Sequence, residues 1–333
     1  MFYLFHKFIK EGRNDIPTEI CANIIATIHD LLQIQAEIPE LEDSDVDFLA
    51  EGVRTSTFDS QLYLYETAGV LCSLLFKTPE QQASLLLSLV KPLMDELSTN
   101  LQAATKGSQD LIPIVKVHHI IMALGNISKG FPDYPSPPHE GYKLPPLDVF
   151  AQMAQAILVC LEAMNVFKVV RDAVRVSTPE FSMLCTNSLM QTRFAFARIL
   201  ASAGPSVTHF IPPLMSNLLT HFEPSELVDF MNFIGLLVHK LQVCPCPRVP
   251  TLNSTFVPIQ RDMFDVLDQL IGPLSAHITE LLSQPVSGTD DHRSQLDTKK
   301  AYLALLNNIM IAKLHGIFTS ESPCLAPLVV VIR

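Results

Sequence analysis

The side chains able to do chemistry are few, and the most informative of them are basic. Between Val166 and Phe222 stand Lys168, Arg171, Arg175, Arg193 and Arg198 against only Asp172 and Glu180, a local charge of +3 in a chain of net charge −11. Lys168, Arg171 and Arg175 are three and four residues apart, which sets them on one face of a helix, while Arg193 and Arg198 belong to the next one. Guanidinium and ammonium groups fixed on a rigid element suit phosphate oxygens, so these five are candidate RNA-backbone contacts. The same residues also fit an ordinary solvated surface with local ion pairs, and the sequence leaves both open.

Other constellations are thinner. His118 and His119 are adjacent, so on a helix they point about 100° apart and do not face one metal unaided. They read as core or surface histidines. Cys244-Pro-Cys246 near His239 is one short thiol pair without a second, too little for a zinc site. Asp290 and Asp291 lie in a polar stretch beside Ser287, Gly288 and Thr289, not in the aspartate-rich motifs that helical prenyl-transfer enzymes need. Neither a GxGxxG nor a GxxxxGK[ST] phosphate loop occurs, nor a GxSxG elbow, nor HExxH. The expectation is a protein that is not an enzyme, with no cofactor and no metal.

Composition narrows the class. The 333 residues are 48% hydrophobic and 17% charged, enough to bury a large core. Twelve glycines are few for a fold of tight hairpins. Acidity argues against general nucleic-acid affinity, so an RNA site has to be a local basic patch. From Glu37 to Glu51 the chain has seven acidic residues and no basic one, a solvated loop or an acidic contact for a basic partner. Seven cysteines, mostly within apolar helical patterns, suit reduced and buried thiols. No signal peptide is evident, and no apolar run reaches the roughly twenty residues of a membrane-crossing helix.

The elements that must position these groups are helical throughout. "MFYLFHKFIKEGR" reads as the closing turns of a helix with Phe2, Phe5, Phe8 and Ile9 on one face, within a longer protein. Ile20 to Leu32 repeat at helical spacing. Thr78, Pro79 and Gln81 predict a capped helix start, followed by a buried stripe of Leu86, Val90, Leu93 and Leu97. Ile114, Val117, Ile121 and Leu124 share a face of the next helix, with Ser108 as its cap and Gly130 as its stop. Further helices are expected near 147–164, 166–176, 184–202, 207–221, 225–242, 259–282 and 296–315.

Helix starts recur about every 20 residues, so a pair occupies about 40, the period of HEAT or armadillo repeats. The fold expected is an all-α solenoid of stacked, HEAT-like antiparallel helix pairs over residues 1–320, with an atypical tail at 321–333. Six prolines in Phe131–Pro146 predict a stiff surface connection between helices rather than a catalytic lid.

Three stretches carry a resemblance. "HHIIMALGNISKGFP" (His118–Pro132), "FKVVRDAVRVS" (Phe167–Ser177) and "ALLNNIMIAKLHGIF" (Ala304–Phe318) are similar to the tRNA export receptors of the importin-β (karyopherin) family, and the similarity extends to about Ser320. The resemblance implies a HEAT-repeat receptor that binds tRNA together with Ran-GTP, passes the pore by contacts with Phe-Gly nucleoporins, shuttles between nucleus and cytoplasm, and does no catalysis itself. Full receptors of that family are longer, and their main Ran-binding repeats are expected outside this chain. The alternative is a solenoid scaffold for protein partners without RNA cargo, which the net negative charge favours when the resemblance is set aside.

Overall fold

Apolar residues at helical spacing fold as helices wherever the computed structural model describes the chain, which is residues 1–38, 48–54, 58–106, 110–134, 142–175, 195–221, 224–240, 256–285 and 288–318. No strand occurs among the described residues. They form two packed units, one holding those up to 221 and the other those from 224 onward.

The first unit contains α1 (Phe2–Glu11), α2 (Thr18–Ile28), α3 (Phe48–Arg54), α4 (Phe58–Ser73), α5 (Pro79–Thr105), α6 (Ile112–Lys129), α7 (Leu147–Met164), α8 (Lys168–Arg175), α9 (Ala195–Ala203) and α10 (Ile211–Thr220). Its helices stack in two rows. One runs α1, α4, α6, α9, each helix packed on the next, and the other runs α5, α7, α10. α5 also lies on α6, and α7 on α9, so each row covers the apolar side of the other. This is the stacking of an α-solenoid built from HEAT-like helix pairs. In the second unit α11 (Leu227–Lys240) packs against α13 (Thr289–Ile311), and α12 (Phe256–Ser283) meets α13 through a 2.6 Å hydrogen bond between Ser275 and Tyr302.

The expected stripes are in the core. Leu86, Val90, Leu93 and Leu97 of α5 are buried, as are Ile114, Val117, Ile121 and Leu124 of α6. α6 is in fact buried on nearly every side, because α4, α5, α8 and α9 all pack on it. α1 differs from expectation at Phe8. Ile9 is buried, but Phe8 is 71% exposed; α1 meets α4 through His6 and Lys10, which reach Thr67 and Glu66. α7 reaches, by length and composition alone, the threshold for a membrane-crossing helix, which the sequence was not expected to contain. Half of it is buried within the protein against neighbouring helices, as in a core helix.

Local ends also depart from expectation. Thr78 stands at the N-cap of α5 with Pro79 next, but its hydroxyl donates back to the Leu75 carbonyl at 3.3 Å, so no capping box forms. The glutamine that matters is Gln82, buried and donating to the Cys72 and Ser73 carbonyls at the end of α4. At α6 the cap of the first turn is the Asp110 carboxylate, which accepts from the Ile112 N–H at 3.0 Å. Ser108 lies outside the described residues. So do 135–141 of the proline-rich connection, most of the acidic stretch, Cys244, Cys246 and the tail from 321. The ends of the connection are anchored. Phe131 is buried edge-on against Phe150 at 5.2 Å, and the Tyr134 N–H donates to the Ala201 carbonyl at 2.6 Å.

His118 and His119 are core histidines. Their Nδ1 atoms lie 3.0 Å apart, and the His119 ring stacks on Phe58 at 4.1 Å. Burial drives both down from the ordinary 6.5, to about 3 for His118, where His119 adds to the effect, and to about 4 for His119. Both are therefore neutral in the fold at pH 7. The unfolded chain takes up their protons first, so the stability tied to their neutrality is full above about pH 6.5 and declines as pH falls toward 4. Denaturant unfolding between pH 7.5 and pH 4.5, ends chosen as roughly bracketing that window, is expected to show this loss. His119→Phe should flatten it. An equal pH slope in wild type and variant would contradict the assignment.

Candidate nucleic-acid interface

The five basic candidates are placed in different ways. Lys168 begins α8, 44% exposed, with its ammonium 2.8 Å from Asp172 one turn on. Arg171 departs from the surface expectation. It is 1% exposed, the largest fully buried side chain among the described residues, and Nη1 donates to the Asn165 carbonyl at 2.7 Å and to that of Val166 at 3.1 Å. Those carbonyls close the end of α7, where helical partners run out. Arg171 thus joins α8 to the C-terminal end of α7, where a cation is also favoured by the helix dipole. Arg171→Met is expected to destabilise the first unit by about 2 kcal/mol through loss of these charge-assisted bonds. A thermal unfolding midpoint unchanged from wild type would refute that role.

Arg175 ends α8. Arg193 lies outside the described residues. Arg198, on α9, is half-buried; burial draws its pKa below the ordinary arginine value, against the pull of Asp133 and Glu66. α8 and α9 pack on each other and on α6, so Lys168 and Arg198 belong to adjoining helices of one stack.

Arg198 leads to a cluster that spacing rules did not single out. Glu66 sits in the apolar helix α4 at 2% exposure. Its Oε1 accepts from Lys10 of α1 at 2.9 Å, its Oε2 from Lys129 of α6 at 2.6 Å, and His6 Nε2 lies 3.5 Å away. Burial pushes the Glu66 carboxyl up, but Lys129 above all, with His6 and Lys10, holds it below the ordinary carboxylate value. Lys10 and Lys129 stand in the last turns of α1 and α6, where terminal carbonyls also favour cations. The signal in the sequence was a lone glutamate in "YLYETAGVLCSLL"; its partners are 56 and 63 residues away, which no local pattern reveals.

Backbone proximity sets this geometry. A Cβ on Gly69 would stand 2.0 Å from the Ile127 carbonyl oxygen, and one on Gly130 2.3 Å from the Val70 nitrogen. On the other side of α6, a Cβ on Gly125 would come within 2.5 Å of the Ala195 Cα. Small residues thus let α4, α6 and α9 touch backbone to backbone, and Ser202 Oγ donates across to the Ser128 carbonyl at 3.0 Å. Side chains at the row's edge are held at the spacing of the helix axes.

Stacked helix pairs carrying a charged seam define an α-solenoid, a class that works by binding along its surface. An Exportin-T profile matches residues 1–192 and 185–326, and on that match the chain belongs to the Exportin-T family. It is 64% identical over 321 residues to Exportin-T of Laccaria bicolor, 57% over 322 residues to that of Coprinopsis cinerea, and 32% over 321 residues to that of Mycosarcoma maydis. Each alignment covers 96% of this chain but only 26–27% of the relative, so the chain spans about a quarter of the length of these curated relatives.

Proposed function

We propose that the chain is a segment of a nuclear export receptor for tRNA, contributing part of the surface that grips the RNA backbone. The observation that supports this most is the 64% identity to an Exportin-T across 96% of the chain. The receptor it belongs to binds tRNA cooperatively with Ran-GTP, whose main site is outside this segment. It passes the pore on Phe-Gly nucleoporins, shuttles between nucleus and cytoplasm, and leaves catalysis to Ran. Lys168, Arg175, Arg193 and Arg198 are the proposed phosphate contacts, and Arg171 acts structurally by tying α8 to α7. Shape and phosphate contacts from rigid helices suit the folded arms of tRNA.

Titration of the chain with folded tRNA at several salt concentrations, with and without Ran-GTP, tests this. Affinity should fall as salt rises, and Lys168→Gln with Arg175→Gln should flatten the logarithmic slope by about 1.4–1.8, at roughly 0.7–0.9 per phosphate. Absence of tRNA binding even at low salt would favour the protein-only scaffold instead.

A further inference from the structure

We propose that Lys10, Lys129 and Arg198 form a second phosphate-binding seam for RNA, running along one helix row from α1 through α6 to α9. This rests on the tRNA-receptor reading, shares Arg198 with it, and adds Lys10 and Lys129, far from α8 in sequence.

Charge and connectivity point to it. The groups that act on one another here are His6, Lys10, Glu66, Lys129, Asp133 and Arg198. Burial lowers the His6 pKa, and among the described residues three cations act with two carboxylates, in a chain whose net charge is −11. A stack that needed only to neutralise Glu66 would need one cation, and here each carboxylate oxygen has its own ammonium. The Lys10 side chain remains 52% exposed, so the charge of the seam reaches solvent there. An ammonium has three donors, and the Glu66 bond uses one of those on Lys10.

Rigidity is the second requirement, and the seam meets it. Lys10 and Lys129 are held by a buried carboxylate between them, and the helices carrying Lys129 and Arg198 touch at Gly125 and Ala195. Lys10 and Lys129 are thereby preorganised, and phosphate binding by them loses little side-chain freedom.

The test is tRNA titration of the full chain at several salt concentrations. Lys10→Gln with Arg198→Gln should lower affinity roughly tenfold at low salt and reduce the logarithmic slope by about 1.4–1.8. Glu66→Gln should act in the opposite direction, tightening binding and steepening the slope because it removes an internal anion. A merely structural cluster would show only weaker binding in both variants. Should Glu66→Gln fail to fold, the lysine–arginine pair of changes decides alone, with helicity checked by circular dichroism. Wild-type binding with an unchanged slope in that variant overturns the seam and removes Arg198 from the phosphate contacts, while the tRNA reading then stands on Lys168 and Arg175, which their own variant tests. No wild-type binding at low salt overturns both. Poly-L-glutamate binding that needs Lys10 and Arg198 while tRNA does not would assign the seam to an acidic protein instead.

Discussion

Glu66→Gln should destabilise the first unit by about 3–5 kcal/mol, the range for breaking a buried ion pair from one side. The change leaves Lys129, whose side chain is 17% exposed, and Lys10 without the carboxylate both contact. Lys129→Met should cost about as much by leaving the carboxylate short of its nearest donor. The double variant should lose less than the two single losses added, because neither charge is then stranded in apolar surroundings. Chemical denaturation of the four proteins measures this as a coupling energy. Strict additivity would show that the pair is solvated and contributes little. Acid reports the same pair. The depressed carboxyl contributes stability that is full above its unfolded value near 4.5 and disappears as pH falls through the lower, folded value.

Gly130→Ala should destabilise by about 1–3 kcal/mol or more, the range for overpacking a tight core. The sign is the informative part. At a helix end in the right-handed conformation, alanine normally gains about 0.5–1 kcal/mol over glycine. Gly130 has φ of −68°, so its own backbone would accept a side chain. The obstacle is the neighbour: the new methyl would meet Val70 N at 2.3 Å and the Gly69 carbonyl carbon at 2.4 Å, both main-chain atoms that move only if α4 and α6 separate. Gly69→Ala should behave alike, against the Ile127 carbonyl. Separation would also draw Lys129 away from Glu66, so the loss should be partly shared with that of Lys129→Met. A raised unfolding midpoint in Gly130→Ala would show that the helices are not in backbone contact.

These cases show how unevenly the molecule can be read from its residues. Gly130 reads as a stop signal, and α6 does end there, but it is needed for contact with α4 rather than for a turn. Arg171 reads as one of three basic residues on a helix face, yet its guanidinium is turned inward to the end of α7. Spacing places a side chain around its own helix; it carries no information about which neighbour covers that side. Val166 and Phe167 alongside Arg171 gave no hint that carbonyls of the preceding turn would need a donor.

Sequence alone determines the all-α class, because the 3.6-residue apolar period is a local property that each helix carries by itself. It also determines the buried stripes of α5 and α6, the span of α7, and, through three matching stretches, the family. Only the tertiary structure decides that Glu66, Lys10 and Lys129 meet. α4 and α6 are neighbours because Gly69 and Gly130 let their backbones close to contact, and lysines 56 and 63 positions away from Glu66 then share its carboxylate. Ion pairing of that kind is set by packing distance, which no single helix encodes.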